Sequence, residues 1–114
     1  MIAVIFEVEP ADGQMNAYLD VAGPLRAELE KIPGFISVER FQSLTDPKKL
    51  LSLSFFENEE AVTAWRNLPV HRAGQSAGRN KLFAGYRLRV AHVLRDYGKE
   101  DRAEAPADSR PLHG

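Results

Sequence analysis

The sequence predicts an α+β fold of the ferredoxin-like kind, β-α-β-β-α-β, in which two helices cover one face of a four-stranded antiparallel sheet. Three observations predict it. Apolar residues alternate with a period of two in four separate runs. Helical periodicity fills the intervals after the first and third of these runs. Turn signals such as Pro10-Ala-Asp-Gly13, Pro33-Gly34 and Asp46-Pro47 fall at the boundaries. At 114 residues the chain is one domain by size. The domain is expected over residues 1–98, with residues 99–114 as a flexible C-terminal tail.

Residues 2–9 read as the first strand, with Ile2, Val4, Phe6 and Val8 on one face and Ala3, Ile5, Glu7 and Glu9 on the other. Residues 14–32 read as one amphipathic helix. Met15, Tyr18, Leu19, Ala22, Leu25, Leu29 and Ile32 make its apolar stripe. Gly23-Pro24 predicts a kink, because proline removes a helical hydrogen bond and clashes with the preceding turn. Residues 35–44 read as a second strand, with Phe35, Ser37, Glu39 and Phe41 on one face and Ile36, Val38, Arg40 and Gln42 on the other. The third strand, 50–57, sets Leu51, Leu53 and Phe55 against Ser52, Ser54 and Phe56. Asn58 is the expected N-cap of the next helix, with Glu59 and Glu60 favouring its dipole. That helix meets Pro69, and a further helical piece is expected from Val70 to about Gly78. Tyr86 to Tyr97 reads as the last strand. The tail KEDRAEAPADSRPLHG holds one large apolar residue and cannot repay the cost of ordering.

Composition closes several routes. The chain has no cysteine, which excludes disulfides, thiolate metal sites and cysteine nucleophiles. The start, MIAVIFEVEP, lacks the basic region of a signal peptide. No apolar run approaches a membrane span, so a cytoplasmic protein without membrane contact is expected. The net charge of −1 hides an asymmetry: residues 1–60 carry 5 basic and 11 acidic residues, and residues 61–98 carry 7 basic and 1 acidic. The halves either neutralise each other on folding or leave a basic rim that attracts a small anion. Nucleic acid is not expected, because the basic residues are not interleaved with exposed aromatics.

Two helices on one face leave the other face of the sheet bare. On that face the reading puts Ile5 from strand one, Phe56 from strand three, and Ala91 and Val93 from strand four. That set is too apolar for open water, and a second copy of the chain would cover it. A homodimer with stacked sheets is the expectation.

Nucleotide, phosphate, zinc-protease and esterase signatures are absent. The three histidines, His71, His92 and His113, have no carboxylate at ligand spacing, so no metal site is expected. The group Trp65-Arg-Asn-Leu-Pro-Val-His71 carries more chemistry. Pro69 breaks the helix between the two rings, which sets His71 at a junction where an imidazole can trade a proton near neutral pH. The structural alternative makes Trp65 a core plug and His71 a solvated cap. Arg40, on the Ile36/Val38 side of its strand, and His92, which shares a face with Val90 and Leu94, are residues of a kind more often structural than catalytic.

The runs GFISVERFQSL, KLLSLSFFENEEAVTAWRN and HRAGQSAGRNKLFAGYRLRVAHVLRDYG resemble the antibiotic biosynthesis monooxygenase superfamily. Gly34-Phe35, Phe55-Phe56-Glu57, Trp65, His71 and the Tyr86–Tyr97 strand carry the resemblance, over about residues 1–98. It implies a ferredoxin-like subunit paired into a dimeric α/β barrel. It also implies an oxygenase that acts on a small aromatic or quinol-like substrate with O2 and no cofactor. In that reading His71 is the general base, Trp65 walls the pocket, and a cation, Arg40 or Arg79, stabilises an oxyanion. Other members of the superfamily bind and degrade haem, which would make His71 an axial ligand. The first strand here has Phe6 and Glu7 where that branch has an asparagine. A binding dimer without turnover is the third reading the resemblance leaves open.

Overall fold

β1 (Ile2–Pro10) runs through the middle of the sheet, and its near-continuous apolar sequence suits a strand covered on one side and flanked on both. In a computed structural model, which describes residues 1–68 and 82–109, the chain continues as α1 (Met15–Ala22), α2 (Leu25–Leu29), β2 (Phe35–Gln42), β3 (Leu50–Phe56), α3 (Glu59–Arg66) and β4 (Phe83–His92). The strand order is β2-β3-β1-β4, every pairing antiparallel. This is the ferredoxin-like sheet that the alternation of periods predicts. The expected helical piece from Val70 to Gly78 lies outside the described residues.

Register sorts the side chains into rows across the sheet. On the helix-covered face the rows are Gln42–Leu50–Val8–Tyr86, Arg40–Ser52–Phe6–Leu88, Val38–Ser54–Val4–Val90 and Phe35–Phe56–Ile2–His92. On the open face they are Phe41–Leu51–Glu7–Arg87, Glu39–Leu53–Ile5–Arg89 and Ser37–Phe55–Ala3–Ala91. The expected faces of β3 are therefore inverted. Phe56 is wholly buried beneath the helices, while Leu51, Leu53 and Phe55 lie on the open side. Phe35 also changes face, because an irregularity between Phe35 and Ser37 shifts the β2–β3 register. Its ring then meets Phe56 edge-on at 5.7 Å.

The first helical arm is two helices and not one kinked helix. Gly23 N–H still reaches the Leu19 carbonyl at 2.9 Å, but Pro24 has no N–H to give. Beyond it, Arg26 N–H turns to the Gly23 carbonyl at 3.3 Å, and α2 starts afresh. Gly34, at φ +91°, makes the turn into β2. Asn58 caps α3 as expected, its Oδ1 accepting from Ala61 N–H at 2.9 Å. β4 starts three residues earlier and stops five earlier than the Tyr86–Tyr97 reading, at His92, where pairing with β1 runs out. Residues 98–109 hold local turns, and Ala105 is buried.

The core divides into two clusters. One gathers Ile2, Val4, Val38 and Phe56 from the sheet under Leu29, Ile32, Ala61 and Val62. The other gathers Val8 and Leu50 under Tyr18 and Ala22.

Candidate functional site

Between those clusters the covered face of the sheet turns polar. The Arg40–Ser52–Phe6–Leu88 row lies there, with Ser54 in the next row, buried at 5% exposure. The break at Gly23-Pro24 sits above Arg40. Its Nη2 donates to the Ala22 carbonyl at 3.1 Å, one of the last carbonyls of α1. A cation at a helix C-terminus is favourable, so one sequence feature, the proline break, explains where this guanidinium is held. Its Nε is buried and makes no hydrogen bond.

The β1–β4 side of the same face is aromatic and half open. Phe6 contacts Phe83 at 5.8 Å and Tyr86 at 5.9 Å between ring centroids. Tyr18 meets Phe83 edge-on at 5.6 Å. Further along β4, Leu88 is 43% exposed and Val90 51%. A helix-side sheet surface that stays this open, on the same face as a part-buried cation, suits a small ligand with an apolar body.

Trp65, on α3, is partly buried against the first cluster, its ring centroid 5.8 Å from that of Phe56. Arg40 faces the same side of the sheet. The row of Arg40 and that of Phe56 are four residues apart along β3, about 13 Å at the usual rise. Trp65 and Arg40 thus stand toward opposite ends of one face. His71 and Arg79 lie outside the described residues. His92 is exposed and ends the row that contains Phe56. Among the described residues, no three His, Asp or Glu side chains converge as a metal site would need.

Sequence reading missed Ser52 as the residue opposite Arg40, and Phe6 and Leu88 as the rest of its row across the sheet. Their signal was the alternation of KLLSLSFF, which puts hydroxyls at two positions of a covered face, but pairing register decides who stands opposite whom. A separate cleft of about 210 Å³ opens around Gly85, between Glu7, Glu9, Lys49 and Arg87. It is smaller than usual ligand pockets, and its charges balance.

Comparison with known proteins fits this architecture. The profile of the antibiotic biosynthesis monooxygenase family matches residues 1–77. A jasmonate monooxygenase of Pyricularia oryzae is 43% identical over 93 residues, covering 82% of this chain. The chain spans only 43% of that fungal protein's length. The YqjZ protein of Bacillus subtilis is 27% identical over 93 residues, covering 82% of this chain and 79% of its own. Among solved structures, Rv0793 from Mycobacterium tuberculosis superposes with a TM-score of 0.77 at 15% identity, over 85% of this chain and 98% of that one. SO0527 from Shewanella oneidensis gives a TM-score of 0.75 at 14% identity, over 81% and 89%. Those two likenesses speak for the fold. The profile match over most of the domain speaks for descent, and the chain belongs to the antibiotic biosynthesis monooxygenase family.

Proposed function

We propose that this chain is an O2-dependent monooxygenase for a small, ring-bearing apolar substrate, working as a homodimer without a resident cofactor. The observation that carries the reading is the helix-side face of the sheet, where the Phe6–Phe83–Tyr86 rings and the part-buried Arg40, held on the Ala22 carbonyl, lie on one face. A quinol-like substrate can supply the electrons itself. A ring CH2 loses a proton to a base, the carbanion reduces O2, and the products are a new C=O and one water. The protein's share is to take the proton, hold the anion and keep bulk water away. His71 is the proposed base, Trp65 a wall at the Phe56 end of the face, and Arg40 the cation that faces the anion. The name of the fungal relative adds jasmonate, a cyclopentanone carboxylate, to the substrates worth offering.

Haem fits the described residues poorly. The helix-side positions of β1 are Ile2, Val4, Phe6 and Val8, which offer haem no amide, and Phe6 is already engaged by Phe83 and Tyr86.

The test is oxygen uptake by chelator-treated protein with anthrones, hydroquinones and jasmonate. His71→Ala is expected to lower turnover at least ~100-fold, the usual share of a general base, with little change in thermal stability. Unchanged turnover would remove His71 from the reaction. No uptake with any substrate, together with a saturable Soret shift on haem addition that His71→Ala abolishes, would replace this reading with haem binding.

A further inference from the structure

Gly85 is a glycine without a local reason. It lies inside β4, opposite Glu9 of β1, and its φ is not positive. The register irregularity beside it, between Glu9 and Pro10, therefore does not need a glycine there. A Cβ added at Gly85 would meet nothing within 4 Å. A glycine inside a strand gives up side-chain packing, and it often marks a place where another group comes close. Here the missing side chain leaves the cleft of about 210 Å³ between Glu7, Glu9, Lys49 and Arg87. Glu7 and Arg87 form a pair in a row of the open face, so the cleft opens on that face. At the other end of the same row stands Phe41, on the edge strand β2, with its ring 44% exposed.

The open face thus carries a knob at one edge and a hole at the other, one ladder step apart along the strands. A two-fold axis parallel to the strands makes these two features meet. It keeps every residue at its level and lays β2 of one copy over β4 of the other. Stacked sheets stand about 10 Å apart, a gap that facing side chains share. Opposite a glycine the gap is left to one side chain, and a phenyl ring suits it. The same axis brings Glu39 of β2 over Arg89 of β4, so charge agrees with shape.

We propose that the partner subunit's Phe41 seats its ring in the Gly85 cleft, against the guanidinium of Arg87. The inference rests on the homodimer of the proposed function and names the contact that fixes its pairing. By symmetry the seat forms twice in each dimer.

The experiment is sedimentation equilibrium on the full chain. Gly85→Leu fills the hole and is expected to weaken the dimer at least ~10-fold. The single subunit has room for that side chain, so its far-UV circular dichroism should not change. Phe41→Ala is expected to weaken the dimer by a similar factor. The double variant should associate more tightly than either single one, because leucine refills the space the ring leaves. A second measurement uses the absence of cysteine from the chain. Phe41→Cys and Gly85→Cys chains, mixed and treated with a short bismaleimide, are expected to give a covalent dimer that neither chain gives alone.

A wild-type dimer that Gly85→Leu leaves intact, or a double variant no tighter than the weaker single one, overturns the seat and leaves the homodimer standing. Covalent dimers from Phe41→Cys alone also overturn it, because they put β2 over β2. Should Gly85→Leu fail to fold, the mixed cysteine chains decide, and no covalent dimer from them overturns the proposal. A wild-type monomer at micromolar concentration removes both the seat and the homodimer.

Discussion

Phe56 has no exposed surface, and its ring lies between Phe35 at 5.7 Å and Trp65 at 5.8 Å. Truncating such a ring removes its burial and leaves a cavity that neighbours fill only in part. Phe56→Ala is expected to cost ~3–5 kcal/mol, read as a lower urea midpoint at unchanged slope. Phe55, one residue away, lies on the open face and is only partly buried. Phe55→Ala should cost clearly less in the isolated subunit. If the two costs were equal, the assignment of faces on β3 would be wrong. That assignment was not legible in the sequence, for a physical reason. Hydrophobicity alone makes Leu51-Leu53-Phe55 the better core face and Ser52-Ser54-Phe56 the poorer one. The fold inverts them because its covered face carries a polar seam, while its open face is apolar beyond the needs of a lone subunit. Trp65 as a partly buried neighbour of the core was legible from its place on the helix. The partners of Arg40 were not, since they are set by register.

Among the elements, the junctions carry the information. Asn58 stands at the start of α3 with its side chain on Ala61 N–H at 2.9 Å, and Asn58→Ala should cost ~1 kcal/mol, measurable by denaturant melts. Gly34 meets two demands at once. Its φ of +91° disfavours any side chain, and an added Cβ would stand 3.1 Å from that of Ala61, the residue Asn58 caps. Gly34→Ala is therefore expected to destabilise by more than ~1 kcal/mol and to add to the loss from Asn58→Ala less than independently. The Gly23-Pro24 break was legible as an interruption, but its depth was not. The apolar stripe keeps its phase across it, which favoured one bent helix. The hydrogen-bond pattern decided otherwise, and the Ala22 carbonyl, left at the end of α1, is where Arg40 is anchored.

For the whole molecule, the open face of the sheet is the unfinished surface. Its central row, Glu39–Leu53–Ile5–Arg89, is apolar in the middle, acidic at the β2 edge and basic at the β4 edge. Phe41 adds a ring that is 44% exposed. In the proposed homodimer the two-fold axis can run along the strands or across them. Across them, β2 lies over β2 and Glu39 approaches its own copy. Along them, β2 lies over β4 and each Glu39 approaches an Arg89, which in the single subunit holds Glu7 at 3.3 Å. Opposite charges favour the second arrangement, and like charges oppose the first. Leu53→Glu, at the centre, should leave a folded monomer in sedimentation at micromolar concentration. Glu39→Arg should weaken the dimer about tenfold or more, and Arg89→Glu added to it should restore association, since the swap returns opposite charges to each contact. A wild-type monomer at those concentrations would end the homodimer, and a double variant no stronger than Glu39→Arg alone would turn the axis across the strands.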